Sequence, residues 1–310
     1  NTFKASENGG AYADIVETIS LPVTYYVAPS GLSNCAYDGD GGQACTPSDS
    51  NNGLSKAAPF ATISKARDAI KNKIIGSVVT IQLADTTGGT CYQPDRVEFQ
   101  NVVAGGPPNS TLSVAITGEV DTYPQGYIYI KGNTATPNNV SIVGATTCAG
   151  TVSNKGVGIS AIGTVMRLHG VNLKYFSGTN LGAFTCYRST CFFETSNSTS
   201  DHDNIEGSAF SGFFSSSLKM AGTFNFTNTG AAEANQGSTL EFRTPLGYAT
   251  ANITRSSGTN GFGFFVNELS HMLQGGLTAT FTGAGTYNAF GAWTRSSINW
   301  NSDASSATTI

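Results

Sequence analysis

Groups able to do acid–base or metal chemistry are sparse in this chain: 20 aspartates and glutamates, 16 lysines and arginines and three histidines in 310 residues. Their densest cluster is STSDHDNIEG, which brings Asp201, His202, Asp203 and Glu206 together. Carried on one loop, these side chains would bind a Ca2+ ion or supply an acid and a base. The same letters also describe a solvated turn between strands, where Asp and Asn are favoured. A second candidate is LEFR, in which Glu241 and Arg243 stand two apart and share one face of a strand. That pair reads as a catalytic acid with an orienting base, or as a surface salt bridge worth little. Arg188, Glu194, Glu268, His271 and Arg295 lie at positions a repeat would bring to neighbouring faces. His169 sits in the apolar run MRLHGVNL, the setting of a satisfied core or turn histidine. YDGDGG, with Asp38 and Asp40, has the composition of a calcium loop but lacks the 12-residue pattern and its terminal Glu, and reads as a flexible loop. No nucleophile elbow, phosphate loop or zinc motif occurs.

The elements that must position these groups are mostly strands. Only 12% of the residues are charged, so Ser, Thr, Asn and Gly fill the solvent-facing positions, as β-structure and its turns permit. One amphipathic helix stands out. Pro59 precedes it, Thr62 or Ser64 caps it, and Ile63, Ala66, Ile70 and Ile74 form one apolar stripe, ended by Gly76. Strand-like runs follow: VVTIQLA, LSVAITG, GYIYIKG, VSIVG, VGISAIG and VMRLHGVNLKYFSG. The second half repeats. TCYRSTCFF, GFFSSSLKM, GFFVNELSHML and GAWTRSSINW share a small residue, two bulky positions, a polar patch with Ser or Thr, and then alternating apolar residues. They begin at residues 185, 212, 263 and 291, with a degenerate copy expected around GSTLEFRTPLGY. A period of roughly 26 residues with strand composition is what a parallel β-helix needs. Equivalent Phe, Tyr and Trp residues would stack inside it. The Ile63–Ile74 helix would cap the first turn, whose unpaired backbone otherwise invites edge-to-edge association.

The net charge of −4 and a pI near 5.3 argue against a duplex nucleic-acid partner, which requires a basic face. No run of 18 apolar residues occurs, so no membrane span is expected. Cys35 and Cys45 bracket the Gly- and Asp-rich loop, and Cys186 and Cys191 lie five apart. Both are disulfide candidates in an oxidising compartment; Cys91 and Cys148 are left over, and buried free thiols are the alternative.

The stretch YYVAPSG…NNGLSKAAPFATISKARDAI, residues 25–70, resembles the opening segment of pectate-lyase-like right-handed β-helix proteins. That segment is common in bacteriophage tailspikes and secreted polysaccharide lyases. The resemblance implies an all-β, right-handed parallel β-helix with an N-terminal capping α-helix. Residues 1–22 would be an arm, 23–77 a first strand, Cys-bracketed loop and cap, and 78–310 the coil. It further implies a virion or extracellular protein, most like a tailspike, that binds and often cleaves a bacterial surface polysaccharide. The arm would then contact other tail proteins. The alternatives are a secreted polysaccharide lyase or glycoside hydrolase, and a non-catalytic adhesin or filament subunit. A hydrolase needs two carboxylates roughly 5 to 9.5 Å apart. A lyase needs a base and a cation, Ca2+ or a side chain, to neutralise the substrate carboxylate. Asp201, Asp203, Glu206, Glu241 and Arg243 are the catalytic candidates. No other cofactor is expected. WTRSSINWNSDASSATTI offers no second helix to cover the last turn, so a homo-oligomer, a trimer as in tailspikes, is expected.

Overall fold

The computed structural model describes residues 3–5, 13–15, 17–86, 90–93, 96–100, 102–104, 123–124, 126–145, 147–148, 157–176, 182–203, 205, 208–255, 262–273, 277–283, 288–299 and 307–309. The chain winds as a parallel β-helix whose turns lay down three strips of sheet. The first strip stacks Val23–Val27, Val78–Leu83, Tyr127–Lys131, Val165–His169, the near halves of Thr190–Asp203 and Ser217–Thr227, Thr239–Glu241, His271–Leu273 and Ser297–Asn299, all parallel. The second stacks Ser141–Val143, Asn172–Lys174, the far halves of the two long strands, Gly247–Arg255, Thr278–Gly283 and Ala307–Thr309. The third, a separate sheet, runs from Val97–Phe99 through Ile159–Ile162, Phe184–Tyr187, Ser208–Phe213, Gly230–Ala234 and Phe262–Val266 to Asn288–Ala292. Antiparallel ladders among the described residues are short: Phe3–Ala5 with Ala13–Ile15, Asn34–Cys35 with Gln43–Ala44, and Arg243–Thr244 with Gly247 and Tyr248.

Alternation along each strand sends every second side chain inward. Val79, Ile128, Met166, Cys191, Leu218, Leu240 and Met272 are register neighbours in the first strip, and all are fully buried. On the third sheet Phe184, Phe210, Ala232, Phe264 and Phe290 stand in one inner column. The expected turn-to-turn aromatic stacking is found in this column at Phe264 and Phe290, 5.6 Å apart; beyond Ala232, Phe210 instead stacks across the core on Phe193 of the first strip at 3.9 Å.

The polar patch of the repeat is a hydroxyl ladder at the corner between the third and first strips. The hydroxyls of Ser189, Ser216, Ser238, Ser270 and Ser296 accept in turn from the amides of Thr164, Ser189, Ser216, Ser238 and Ser270, at 3.0–3.2 Å. Just before each serine the backbone enters the left-handed region, at Arg188, Phe214–Ser215, Gln236–Gly237, Glu268–Leu269 and Thr294–Arg295. Amides at these corners bond to the corner carbonyls of the next turn, as Ser215 does to Gln236 and Leu269 to Thr294. Turn lengths measured along the ladder are 25, 27, 22, 32 and 26 residues. The short copy expected near GSTLEFRTPLGY is therefore real, and Ser238 is its landmark. The residues after it leave the repeat as the Arg243–Tyr248 hairpin, which lengthens the following turn.

The capping helix is shorter than its stripe predicts. It spans Ile63–Ile70, with Thr62 as N-cap accepting from the Lys65 amide, and it buries Ile63, Ala66 and Ile70. Lys71 is extended and Asn72 left-handed, so the chain leaves the helix before Ile74. Ile74 belongs instead to the strand Lys73–Ile75, which pairs with Glu17–Ile19 and Val103–Ala104. Residues 17–19, placed in an arm by the sequence, thus pair with the body. Burial of the stripe against the first turn fixes the cap, and the Arg67 guanidinium ties it to the Glu98 carbonyl at 3.1 Å. The expected strand LSVAITG and the candidate Glu206 lie outside the described residues.

Three disulfides close the cysteine inventory: Cys35–Cys45, Cys186–Cys191 and Cys91–Cys148. The leftover pair is thus bonded too, across 57 residues. No described helix is long and apolar enough to cross a membrane.

Candidate binding site on the outer face of the first strip

The outward residues of the first three strands form two columns. Thr24, Thr80 and Tyr129 are register neighbours in one; Tyr26, Gln82 and Lys131 in the other. They floor a cavity of about 250 Å³, walled by Tyr37 and Asp38 from the disulfide loop and by Lys56. The loop is held rather than flexible, which corrects the reading of YDGDGG. Asp38 takes Lys131 Nζ at 2.8 Å and the Thr134 amide and hydroxyl at 2.7 and 2.8 Å. Asp40 takes Lys56 Nζ at 2.5 Å and the amides of Tyr37 and Gly42. Burial pushes both carboxyls up, but the hydrogen bonds from these lysines and amides outweigh it and hold both below the usual range. The Lys56 ammonium also lies 5.9 Å from the ring centres of Tyr26 and Tyr37, which meet edge to face at 5.1 Å.

Behind Tyr129 lies a charged cluster. Arg167, one strand on, is sandwiched between the rings of Tyr123 and Tyr129, 4.3 and 4.4 Å from their centres. Its Nε is ion-paired with Glu194, whose side chain is wholly buried and also accepts from the Tyr123 hydroxyl. His169 shares a 2.8 Å hydrogen bond with the Tyr129 hydroxyl. Burial, with the charges of Arg167 and Lys131, pushes its pKa down to about 4, so at pH 7 it is neutral. His169 is therefore a satisfied, buried group as its sequence context indicates, but on the outer side of the strip. Together the cluster fixes the ring of Tyr129 that floors the cavity.

The structure distributes the sequence candidates over other faces. In SDHD, His202 points inward among Phe210, Phe224 and Phe226, and its Nδ1 accepts from the Leu173 amide. Burial lowers its pKa to about 3. Its neighbours Asp201 and Asp203 therefore face out on the second strip, within the strand Thr190–Asp203 rather than on a loop. Their Cα atoms are about 6.6 Å apart at the usual rise of a strand. Asp201 heads a polar ladder: Asn225 donates to it at 2.8 Å, and Asn252 donates to Asn225 at 2.9 Å. Glu241 is ion-paired with Lys219 of the preceding turn at 2.6 Å, while Arg243 leans over the Tyr248 ring at 5.7 Å. The buried Phe242 separates the two strands that carry Glu241 and Arg243. Arg188 lies over Phe214, His271 is exposed and bonded to Ser297, and Glu268 and Arg295 sit at corners. Among the described residues no three His, Cys, Asp or Glu side chains gather as a metal site.

Two features escaped the sequence. One is the cavity, whose columns join residues remote in the chain; Gln82 and the Lys131 carbonyl it bonds are 49 apart. The visible signal was the alternation of GYIYIKG, which puts Tyr127, Tyr129 and Lys131 opposite Ile128 and Ile130, and of TYYV, which puts Thr24 and Tyr26 opposite Tyr25 and Val27. The other is Glu233, whose carboxyl burial raises to about 7 against the hydrogen bond from Ser211. In its outward column Ser211, Thr185 and Ser160 separate it from Glu98. That is about 19 Å at roughly 4.8 Å per step, beyond the roughly 9.5 Å limit of a hydrolytic pair.

Comparison of the chain with family models, curated proteins and solved structures returns no match.

Proposed function

We propose that this protein is a tailspike-like recognition β-helix, virion-borne or extracellular, that binds a bacterial surface polysaccharide. The observation that carries the reading is the cavity on the first strip. It combines aromatic rings with hydroxyl, amide and ammonium groups on a rigid, in-register face, as a ligand with apolar ring faces and many hydroxyls requires. The resemblance of residues 25–70 to pectate-lyase-like proteins adds to it, as do three disulfides, which suit an oxidising compartment. Self-association has its own support. Phe214, Leu269 and Trp293, 46%, 58% and 58% exposed, lie at the same corner of three turns, with Gln236 and Gly237 at that corner of the turn between the first two, and offer apolar surface to a second copy. Sedimentation of the purified chain tests the trimer; a monomer at micromolar concentration contradicts it. Binding to a panel of purified bacterial capsular and lipopolysaccharide O-chains tests the recognition, and failure on every member, together with failure on whole cells, contradicts it.

A depolymerase is the second reading. It is favoured by Asp201 and Asp203, which share one side of a strand with Cα atoms about 6.6 Å apart at the usual strand rise, a spacing that lets their carboxyls come within the hydrolytic range. Asp203→Asn would then abolish release of reducing ends from a bound polysaccharide while leaving binding intact.

A further inference from the structure

The charges around the cavity go further than the general reading, on which this inference rests. We infer that the cavity walled by Tyr37 and floored by Thr24, Thr80 and Tyr129 takes a single uncharged sugar ring, and discriminates against uronic acids.

Size sets the first limit. About 250 Å³ is below the roughly 300–1,000 Å³ typical of sites for drug-sized ligands. One ring fits; a chain must run out of the cavity along the strip. Charge sets the second. Both cations that line the cavity already have an anion: Lys131 pairs with Asp38, and Lys56 with Asp40. The nearby Arg167 is held by Glu194. A ligand carboxylate would find no free cation and would stand close to Asp38 and Asp40. To be neutralised it would have to displace one of them, leaving an aspartate without its lysine. A hydroxyl-rich neutral ring meets no such penalty.

Hydrogen bonding supplies the third observation. Tyr37 is 1% exposed, and its hydroxyl has no hydrogen-bond partner among the described residues. A buried phenol normally finds one, because leaving it unpaired costs free energy. Tyr37 lines the cavity, and a small shift of its ring on binding would bring the shielded hydroxyl to a ligand hydroxyl that supplies the missing partner. Thr24 and Thr80, stacked in register at the floor, add two hydroxyls in the same column as the Tyr129 ring.

Saturation-transfer NMR on the full chain tests this. The probes are glucose, galactose and N-acetylglucosamine against glucuronate and galacturonate, each at millimolar concentration. The variants are Tyr37→Phe, which removes only the unpartnered hydroxyl, and Thr80→Val, which keeps the shape of the side chain. The expected result is transfer to at least one neutral sugar, weaker transfer to its uronate, and a threefold to tenfold rise in Kd in each variant, about the worth of one hydrogen bond. Unchanged melting of both variants shows that the fold is intact. Tighter binding of a uronate, neutral-sugar binding indifferent to both substitutions, or no binding of any probe overturns the inference. A parallel measurement with intact polysaccharide separates the two levels. Polysaccharide binding untouched by the variants leaves the general reading standing and removes the cavity from it. Monosaccharide binding without any polysaccharide binding does the reverse.

Discussion

The early turns of the first strip and the turns after Ser189 are built from the same strands but differ in what lies between them. After Ser189 the turns are short, 22 to 32 residues along the serine ladder, and their outward faces carry modest polar ladders such as Asp201–Asn225–Asn252. Before it, the disulfide loop and the helix leave the coil, and Tyr123 lies over the strip. The disulfide loop and Lys56 wall the cavity, while Tyr123 and Tyr129 cover Arg167 and Glu194 on what is formally an outer surface. Regular turns make a scaffold; irregular ones make a site. The placement of charge follows from this, because a buried ion pair is maintained only where something covers it.

The largest expected effect breaks the irregular region. Arg167→Met leaves Glu194 buried without its partner and should destabilise the protein by about 3–5 kcal/mol. The double substitution Arg167→Met/Glu194→Met should recover most of that loss while freeing the Tyr129 ring. Urea titrations of the three proteins check it; equal stability of the single variant and the wild type would mean the cluster contributes nothing.

Next comes pH. His202 has a folded-state pKa near 3 against an ordinary 6.5, so below pH 6.5 the unfolded chain binds the extra proton. Its effect is absent above that value and grows as pH falls toward 3, reaching on the order of a few kcal/mol. Glu233, raised to about 7, acts oppositely: it weakens the fold as pH climbs above about 4.5 and through 7. Melting curves from pH 4 to 8 should therefore show His202→Phe flattening the acid limb and Glu233→Gln the alkaline one. Parallel losses in the variants and the wild type would assign the pH dependence elsewhere.

A smaller effect distinguishes the loop from the coil. Closing the ten-residue Cys35–Cys45 loop is worth roughly 2–3 kcal/mol on the chain-entropy estimate. Intact mass with and without reduction should report three disulfides. Cys35→Ser/Cys45→Ser should loosen the cavity wall, read as faster hydrogen exchange at Tyr37 to Gly42, while the serine-ladder amides stay protected. Exchange accelerated equally in both places would deny the loop its separate role. The smallest expected effect lies in the regular region: Ser216→Ala or Ser238→Ala removes one rung of the hydroxyl ladder, for about 1 kcal/mol, without altering the cavity.

What the sequence made legible follows the same division. Turn-to-turn repetition with a fixed serine is a local signal, so the coil, its period and even the degenerate copy at Ser238 could be read. Alternation identified VVTIQLA and GYIYIKG as strands almost to the residue, whereas the run VMRLHGVNLKYFSG breaks at the left-handed Gly170 into Val165–His169 and Asn172–Lys174. The helix was overrun by one turn because Ile74 continues the apolar spacing, although Asn72 and the strand at Lys73–Ile75 end it. The cavity was not legible, since nothing in the spacing says that Thr24, Thr80 and Tyr129 share a column across such long excursions. The acidic cluster misled for a related reason. SDHD has loop composition, but burial of His202 among phenylalanines turns it into strand and exposes the aspartates on another strip.

The division between site and scaffold is tested most directly by one binding experiment. With a polysaccharide found to bind in the proposed panel, affinity is measured by calorimetry for the wild type, Tyr129→Ala and Asn225→Ala. The first variant removes an aromatic ring from the floor of the cavity; the second breaks the polar ladder on the regular turns. The expected result is a loss of at least tenfold in Tyr129→Ala, about the worth of a buried ring contact, and little change in Asn225→Ala. Full affinity in Tyr129→Ala together with a loss in Asn225→Ala would place recognition on the regular face and contradict the assignment.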